Sequence, residues 1–290
     1  MIEKTPNSKA TSEDIPATLS KAIELQTQGT PASLEGVPVP LSEEAYATLR
    51  EKVLADIARD CDKNPYHNRA HTEGVERRFL ELAKLAGFSP SETQIGAIAA
   101  LFHDYGHAGQ TVRQETSVSL PQKDLSNEEF AALMVDTFLA DKMPKDVIAF
   151  VQSAILGTSF GQSSGPYARP YKPQNALEKL VAFADIANFT STLDEWMEEN
   201  FNVLRETPSV NTPKSYDEMI IGRNKFLDFV SSKLEDVAPI LGPENTAQYQ
   251  VSLEKLRDAV NSLETKEKYE PLYEALLAEK LNRGLRPHSQ

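Results

Sequence analysis

Apolar residues recur every three or four positions along most of the chain beyond Leu41, which is the spacing of one buried face of an α-helix. The first stripe spans residues 46–57 and follows Ser42, a residue type that often precedes a helix. A second stripe spans residues 71–86 and ends at Gly87. The alternation typical of β-strands is nearly absent. The pattern therefore predicts an all-α fold.

Local signals indicate where several helices begin. Ser89-Pro90 predicts a helix that continues to Phe102, and Ser126 with Glu129 forms a capping-box pattern before another apolar stripe. Further helices are expected at 147–155, 176–199, 215–238, 244–263 and 267–283.

Composition divides the chain into three parts. Residues 1–40 are rich in Thr, Ser, Pro and Glu and predict a largely irregular N-terminal extension or linker, with a short helix at 17–26. Residues 41–285 predict a single domain of roughly eight to ten helices, and residues 286–290 a polar tail. Residues 157–175 interrupt the helical pattern with Gly, Pro and Ser, which predicts a long functional loop.

The net charge and the cysteine content limit the kinds of partner and the cellular compartment that we expect. The formal charge of -13 over 290 residues disfavours nucleic-acid binding, which depends on basic surfaces. No apolar run reaches membrane-spanning length, and the N-terminus lacks a secretory signal. Cys61 is the single cysteine, as is typical of reducing compartments. We therefore expect a cytoplasmic protein without membrane or nucleic-acid partners. The oligomeric state stays open.

Four of the five histidines lie in two short stretches. His67 and His71 are four residues apart at a predicted helix start, and His103 and His107 are four apart at a predicted helix end. Asp104 directly follows His103 and would point about 100° away around a helix. Histidine and aspartate are preferred ligands of divalent metals such as zinc, manganese, iron and cobalt. The two stretches therefore predict a metal site and hydrolytic chemistry.

A buried carboxylate completes the predicted ligand set. Asp185 lies in the apolar stripe of the helix predicted to begin at residue 176. A carboxylate in such a stripe needs a hydrogen bond, an ion pair or a metal. We predict a four-ligand metal core of His71, His103, Asp104 and Asp185.

These motifs together resemble a known superfamily. The segments 66–71, 103–109 and 184–188 are similar to motifs of the HD-domain metal-dependent phosphohydrolases, in particular the catalytic domain of class I cyclic nucleotide phosphodiesterases. The similarity covers roughly residues 41–241. It implies an all-helical fold with two divalent metals and a small phosphorylated substrate.

The resemblance also implies roles for individual residues. The four ligands would hold a first metal, usually zinc, and Asp104 would bridge to a second, usually magnesium or manganese, with a hydroxide between the metals as nucleophile. His67 would be the general acid and His107 would position metal-bound water. Glu128 or Glu129 would support these histidines. The implied substrate-binding side chains are Tyr66, Asn188, Arg223 and Phe226.

The chain departs from that family at the position that reads the substrate base. Phe226 matches the phenylalanine that stacks on a purine, but Arg223 occupies the position of the purine-binding glutamine. Arginine offers only donors and carries a fixed charge, so it suits a second phosphate or carboxylate better than a neutral purine. We therefore expect weak discrimination between cAMP and cGMP, with Tyr167 and Tyr171 of the long loop closing over the substrate.

Two other functions fit the same motifs. HD-type di-iron oxygenases resemble this pattern, but they use further histidine ligands, and this chain has no histidine between His107 and His288. A non-catalytic metal or nucleotide sensor would not require His67 beside the ligands. A metal-dependent phosphodiesterase or phosphohydrolase, with a cyclic nucleotide as one candidate substrate, is therefore our leading hypothesis.

Overall fold

The computed structural model describes residues 17–28, 39–61, 63–107, 126–159, 171–207 and 211–284. Within these ranges all regular structure is helical, which confirms the predicted all-α class. The helices of this described part, in chain order, are α1 (Ala17–Gln28), α2 (Glu43–Cys61), α3 (Arg69–Leu85), α4 (Pro90–Phe102), α5 (Asn127–Leu139), α6 (Lys145–Leu156), α7 (Ala176–Ile186), a short 3₁₀ helix (Ala187–Thr190), α8 (Leu193–Glu206), α9 (Tyr216–Val260) and α10 (Leu263–Gly284).

The predicted helix starts are confirmed where a capping residue was identified. The Ser89 and Ser126 side chains accept hydrogen bonds from the backbone N–H groups of Glu92 and Glu129, and each glutamate carboxylate accepts one from the backbone N–H of its serine. At the end of α3, Gly87 has a positive φ of 69°, as expected for a residue that ends a helix.

The single helix predicted at 176–199 is wrong. The α-helix ends at Ile186, continues as one 3₁₀ turn to Thr190, and a new helix begins at Leu193. Thr192 and Glu195 form a capping box that starts α8, because each satisfies a backbone or side-chain donor of the other. This break places Asp185 in the last turn of α7.

The two helices predicted at 215–238 and 244–263 form one long element with a break. Gly242 adopts φ 78° and ψ 165° between Pro239 and Pro243, so α9 is kinked there. α10 begins at Leu263, four residues before the predicted start.

Helices α3, α4 and α7 pack on one another at the centre of the domain, with α6 against α4 and α7, and α9 across α7. Gly96 of α4 allows the close approach of α3, because a Cβ at this position would lie 2.0 Å from the Phe79 ring. The buried Arg78 of α3 donates through Nε to the carbonyl of Ala184 at 2.7 Å. These contacts fix the ends of three helices beside one another.

The N-terminal helix α1 packs on α6. Leu19 and Ala22 are buried, and the buried Gln26 amide donates to the Ser153 carbonyl and to the Glu178 carboxylate. The predicted short helix within residues 1–40 is therefore present and contributes to the core. No helix among the described residues has the length and apolar content that a bilayer crossing requires.

Candidate metal centre

Three helix ends position the four predicted metal ligands. His71 lies in the first turn of α3, His103 and Asp104 directly follow α4, and Asp185 lies in the last turn of α7. The Asn68 side chain caps α3 by accepting a hydrogen bond from the His71 backbone, which fixes the first turn. Because the ligands come from separate elements, the packing of α3, α4 and α7 brings them together.

Donor atoms of His71, His103 and Asp104 all lie within 4.8 Å of one another, and Asp185 lies beside the two histidines. The Nε2 atoms of His71 and His103 lie 3.2 Å apart. Oδ2 of Asp104 lies 3.3 and 3.0 Å from these two atoms, and Oδ1 of Asp185 lies 3.3 and 3.6 Å from them.

These spacings fit a bound divalent ion. Ligand atoms about 2.1 Å from a tetrahedral ion lie about 3.4 Å from one another. The measured separations of 3.0 to 3.6 Å scatter around that value. Two imidazoles with two carboxylates also form a donor set that zinc, manganese and iron accept. The spacing and chemistry of His71, His103 and Asp104 therefore fit a divalent metal, with Asp185 beside the two histidines as the fourth candidate ligand.

A backbone contact orients the His103 ring. Its Nδ1 lies 2.7 Å from the carbonyl oxygen of Ala100, to which an Nδ1–H donates. In the neutral ring, this arrangement leaves Nε2 with a lone pair that can bind a cation.

The aspartate and histidine side chains of the cluster stabilise one another in their charged forms. Burial alone would raise the pKa of Asp104, but His103 and His67 hold the pKa of this carboxyl well below its usual range. Burial likewise opposes ionisation of Asp185, yet hydrogen bonds from His103 and His71 lower its pKa. The pKa of His103 lies well above its ordinary value because Asp104 and Asp185 outweigh the effect of burial. The carboxylates are thus ionised and available to a cation.

His67 is held by a carboxylate that the sequence did not reveal. Its Nδ1 lies 2.5 Å from Oε2 of Glu206, the last residue of α8. Oε1 of Glu206 accepts hydrogen bonds from the backbone N–H groups of Tyr66 and His67 at 2.6 and 2.9 Å. With Nδ1–H donated to Glu206, the other ring nitrogen, Nε2, can carry and transfer a proton.

The pKa of His67 is raised. Burial on its own would lower it, but the charges of Asp104, Glu206 and Asp185 and the hydrogen bond to Glu206 more than compensate. The protonated ring therefore persists to higher pH than in a free histidine.

The outer histidines do not take the helical spacing that was predicted. His67 precedes α3, and His107 follows a turn in which Gly106 has φ 78°. The two rings nevertheless stack with centroids 3.8 Å apart and planes 16° from parallel. Asn64 contributes by donating to the backbone carbonyls of His107 and His67 at 2.7 and 3.2 Å.

His67, His107 and Glu206 form a second group of potential ligands, with one donor atom from each lying within 4.8 Å of the others. Glu206 already accepts two backbone hydrogen bonds and one from His67, however, so its oxygens are engaged. We interpret Glu206 as the residue that orients His67.

A cavity of about 410 Å³ opens beside the cluster. His67, His107, Asp104 and Asp185 line it, and so do all four side chains predicted to bind substrate. The structure thus brings together the predicted chemistry and the predicted binding residues, which are Tyr66, Asn188, Arg223 and Phe226.

The four predicted binding residues differ in their surroundings. The Tyr66 ring lies 4.5 Å from the His71 ring, and burial raises the pKa of its hydroxyl, so the group stays protonated. The Asn188 amide donates to Glu199 at 2.7 Å. Arg223 and Phe226 are partly buried on α9, and the Phe226 ring lies 6.4 Å from that of Phe229.

Two predicted contributions differ from what is found. Of the two alternatives proposed to support the histidines, Glu129 caps α5 and accepts a hydrogen bond from the Tyr171 hydroxyl, whereas Glu128 lines the cavity. Tyr171 is buried, so this residue of the predicted long loop packs in the core. Tyr167 and His288 lie outside the described residues.

Comparisons with protein-family models, with curated proteins and with solved structures find no match for this chain. The resemblance to the HD-domain phosphohydrolases therefore stays a prediction that rests on the motifs.

Proposed function

We propose that this protein is a metal-dependent phosphodiesterase or phosphohydrolase that cleaves a small phosphate ester. The observation that supports the proposal best is the position of His67, held by Glu206, in the lining of the same cavity as the Asp104 and Asp185 carboxylates. A pure metal-binding site needs the four ligands but has no need of an oriented proton donor.

The metal ligands have a defined part in this reaction. His71, His103, Asp104 and Asp185 would hold a divalent ion, zinc being one candidate, and Asp104 would also contribute to holding a second ion such as magnesium or manganese. Such ions supply an activated water near neutral pH and positive charge against the phosphate oxygens.

His67 and Glu206 would together supply the proton that the leaving group needs. Hydrolysis of an ester expels an alkoxide, which is a poor leaving group unless it is protonated. His67 would donate the proton from Nε2, while the Glu206 carboxylate keeps the opposite edge of the ring hydrogen-bonded and stabilises the charged form.

The remaining cavity residues would orient the substrate. A volume of about 410 Å³ lies in the range of small-molecule sites. Phe226 offers an apolar face, and Glu199 fixes the Asn188 amide so that it can read a polar group.

The test is a hydrolysis assay with defined metals. The protein would be stripped with a chelator, reloaded with zinc, manganese or magnesium, and assayed with bis(4-nitrophenyl) phosphate, cyclic mononucleotides and dinucleotides. We expect metal-dependent release of product that His71→Ala abolishes. Absence of hydrolysis of every ester under every metal would refute the proposal.

The second group of potential ligands gives the di-iron oxygenase hypothesis some support, because His67, His107 and Glu206 offer protein donors beyond the first four. Iron content and oxygen consumption would identify that alternative. We expect no oxygen uptake by the iron-loaded protein.

A further inference from the structure

Arg223 is unusual among the partly buried arginines. Arg50 and Arg78 are satisfied, the first by the Glu76 carboxylate at 2.8 Å and the second by the Ala184 carbonyl at 2.7 Å. The Arg223 guanidinium forms neither a hydrogen bond nor an ion pair within the described part of the chain. A guanidinium that is partly removed from water without a counter-ion is unfavourable, so this position calls for an anion.

The charged side chains that line the cavity in the described part of the chain do not supply a counter-ion for Arg223. Arg223 is the one lysine or arginine among the described residues that line it, and acidic side chains line it as well. Asp104 and Asp185 belong to the metal cluster, and Glu199 is hydrogen-bonded to Asn188. Glu128 is the remaining acidic side chain of the lining, and no carboxylate of the described chain forms an ion pair with Arg223.

Arg223 and Phe226 are one helical turn apart, so they share a face of α9. A guanidinium group and an aromatic ring on one face suit a ligand in which an oxyanion lies next to an apolar or planar group. The metal cluster lines the same cavity and would hold a first phosphate.

We propose that Arg223 binds a second oxyanion of the substrate, so that the preferred substrate is a phosphodiester that carries a further phosphate or carboxylate group. This inference rests on the proposed function, since it assigns the reacting phosphate to the metal cluster. It excludes a neutral purine as the main recognition element at Arg223.

A matched pair of esters tests the proposal. Thymidine 5′-(4-nitrophenyl phosphate) carries one anionic group, and its 3′-phosphorylated form carries a second, while the scissile bond is the same. We expect kcat/KM of the metal-loaded protein to favour the 3′-phosphorylated ester by roughly 10- to 100-fold, the scale of one or two hydrogen bonds to a charged group.

Variants assign that preference to one residue. Arg223→Met keeps the length of the side chain and removes the charge, so the preference for the 3′-phosphate should fall to about twofold or less. Arg223→Lys should keep part of it, because the charge remains while the bidentate fork is lost. Lys225→Met is the matched control, since it removes a charge from an exposed position of the same helix and should leave the preference unchanged.

A binding measurement separates this inference from the proposed reaction. Calorimetry with thymidine 3′,5′-bisphosphate and thymidine 5′-monophosphate needs no turnover, and the bisphosphate should bind more tightly only when Arg223 is present. If no ester is hydrolysed but this difference holds, the proposed reaction is wrong and the anion site stands. If the wild type hydrolyses both esters equally, or Arg223→Met retains the preference, the anion site is wrong.

Discussion

The histidines of this site differ in which group accepts the hydrogen bond from Nδ1–H. His103 donates Nδ1–H to a neutral backbone carbonyl, which leaves Nε2 as a lone-pair donor for a metal. His67 donates Nδ1–H to the Glu206 carboxylate, which stabilises the protonated ring. One residue type thus takes two roles because its hydrogen-bond partners differ.

Variants of His67 and Asp185 should separate these roles. Asp185→Ala removes an anionic ligand and should strip the tightly held metal. His67→Ala should keep the metal and lose roughly two to four orders of magnitude in rate, the usual scale of general acid catalysis. Metal content by elemental analysis and turnover of a phosphodiester would be measured together. Loss of metal from His67→Ala, or its full retention by Asp185→Ala, would reverse the assignments.

Glu206 should affect rate through the pH profile. Glu206→Gln removes a charge that, with Asp104 and Asp185, raises the pKa of His67, the ring against which His107 stacks. Since the general acid must be protonated, the alkaline fall in kcat should move to lower pH, with about a 10- to 100-fold loss of rate near pH 8 and unchanged metal content. Glu198→Gln, exposed on the same helix, is the control. An unmoved alkaline limb would exclude Glu206 from orienting His67.

At the scale of helices, the features that depend only on neighbouring residues could be predicted from the sequence. Capping boxes at Ser89 and Ser126 and the apolar stripes marked helix positions, and adjacent His and Asp residues marked metal ligands. The break before α8 was not predicted, because the apolar helical pattern continues across the Thr192–Glu195 capping box that starts the new helix. Glu206 could not be found from sequence, since it meets His67 across 139 positions through tertiary packing.

The turn after α4 should be sensitive to a single methyl group. Gly106 has φ 78°, and a Cβ there would lie 2.2 Å from the Phe130 ring. Gly106→Ala should therefore lower the free energy of unfolding by about 1–3 kcal/mol and displace His107. Gly222→Ala is the control, because it lies within α9 with no atom within 4 Å, and it should raise stability by about 0.5–1 kcal/mol. Urea unfolding measures the change in stability of both variants. Equal midpoints for Gly106→Ala and the wild type would show that a methyl group at this position causes no strain.

At the scale of the whole molecule, the metal cluster couples the packing of α3, α4 and α7 to pH. The native pKa values of Asp104 and Asp185 are lowered, so their stabilising effect is complete above about pH 4 and is lost only as pH falls through those native values. The native pKa of His103 is raised, so its effect is complete below about pH 6.5 and is lost as pH rises through the native value. Near neutrality, His103 therefore determines the pH dependence of the cluster.

The fall of the His103 contribution with rising pH predicts how a metal and a proton compete for the cluster. The chelator-treated protein should lose stability as pH rises from 6 to 8, because the unfolded chain releases the His103 proton in this range while the native cluster still binds it. A divalent metal replaces that proton and binds more tightly as the proton leaves, so the rise in Tm caused by saturating zinc should grow over the same range. Thermal unfolding of stripped and zinc-loaded protein at several pH values measures this directly. Asp185→Ala should show a smaller rise at every pH, since it lacks one ligand. A zinc-induced rise that is constant, or larger at pH 6 than at pH 8, would show that the cluster does not exchange a proton for a metal.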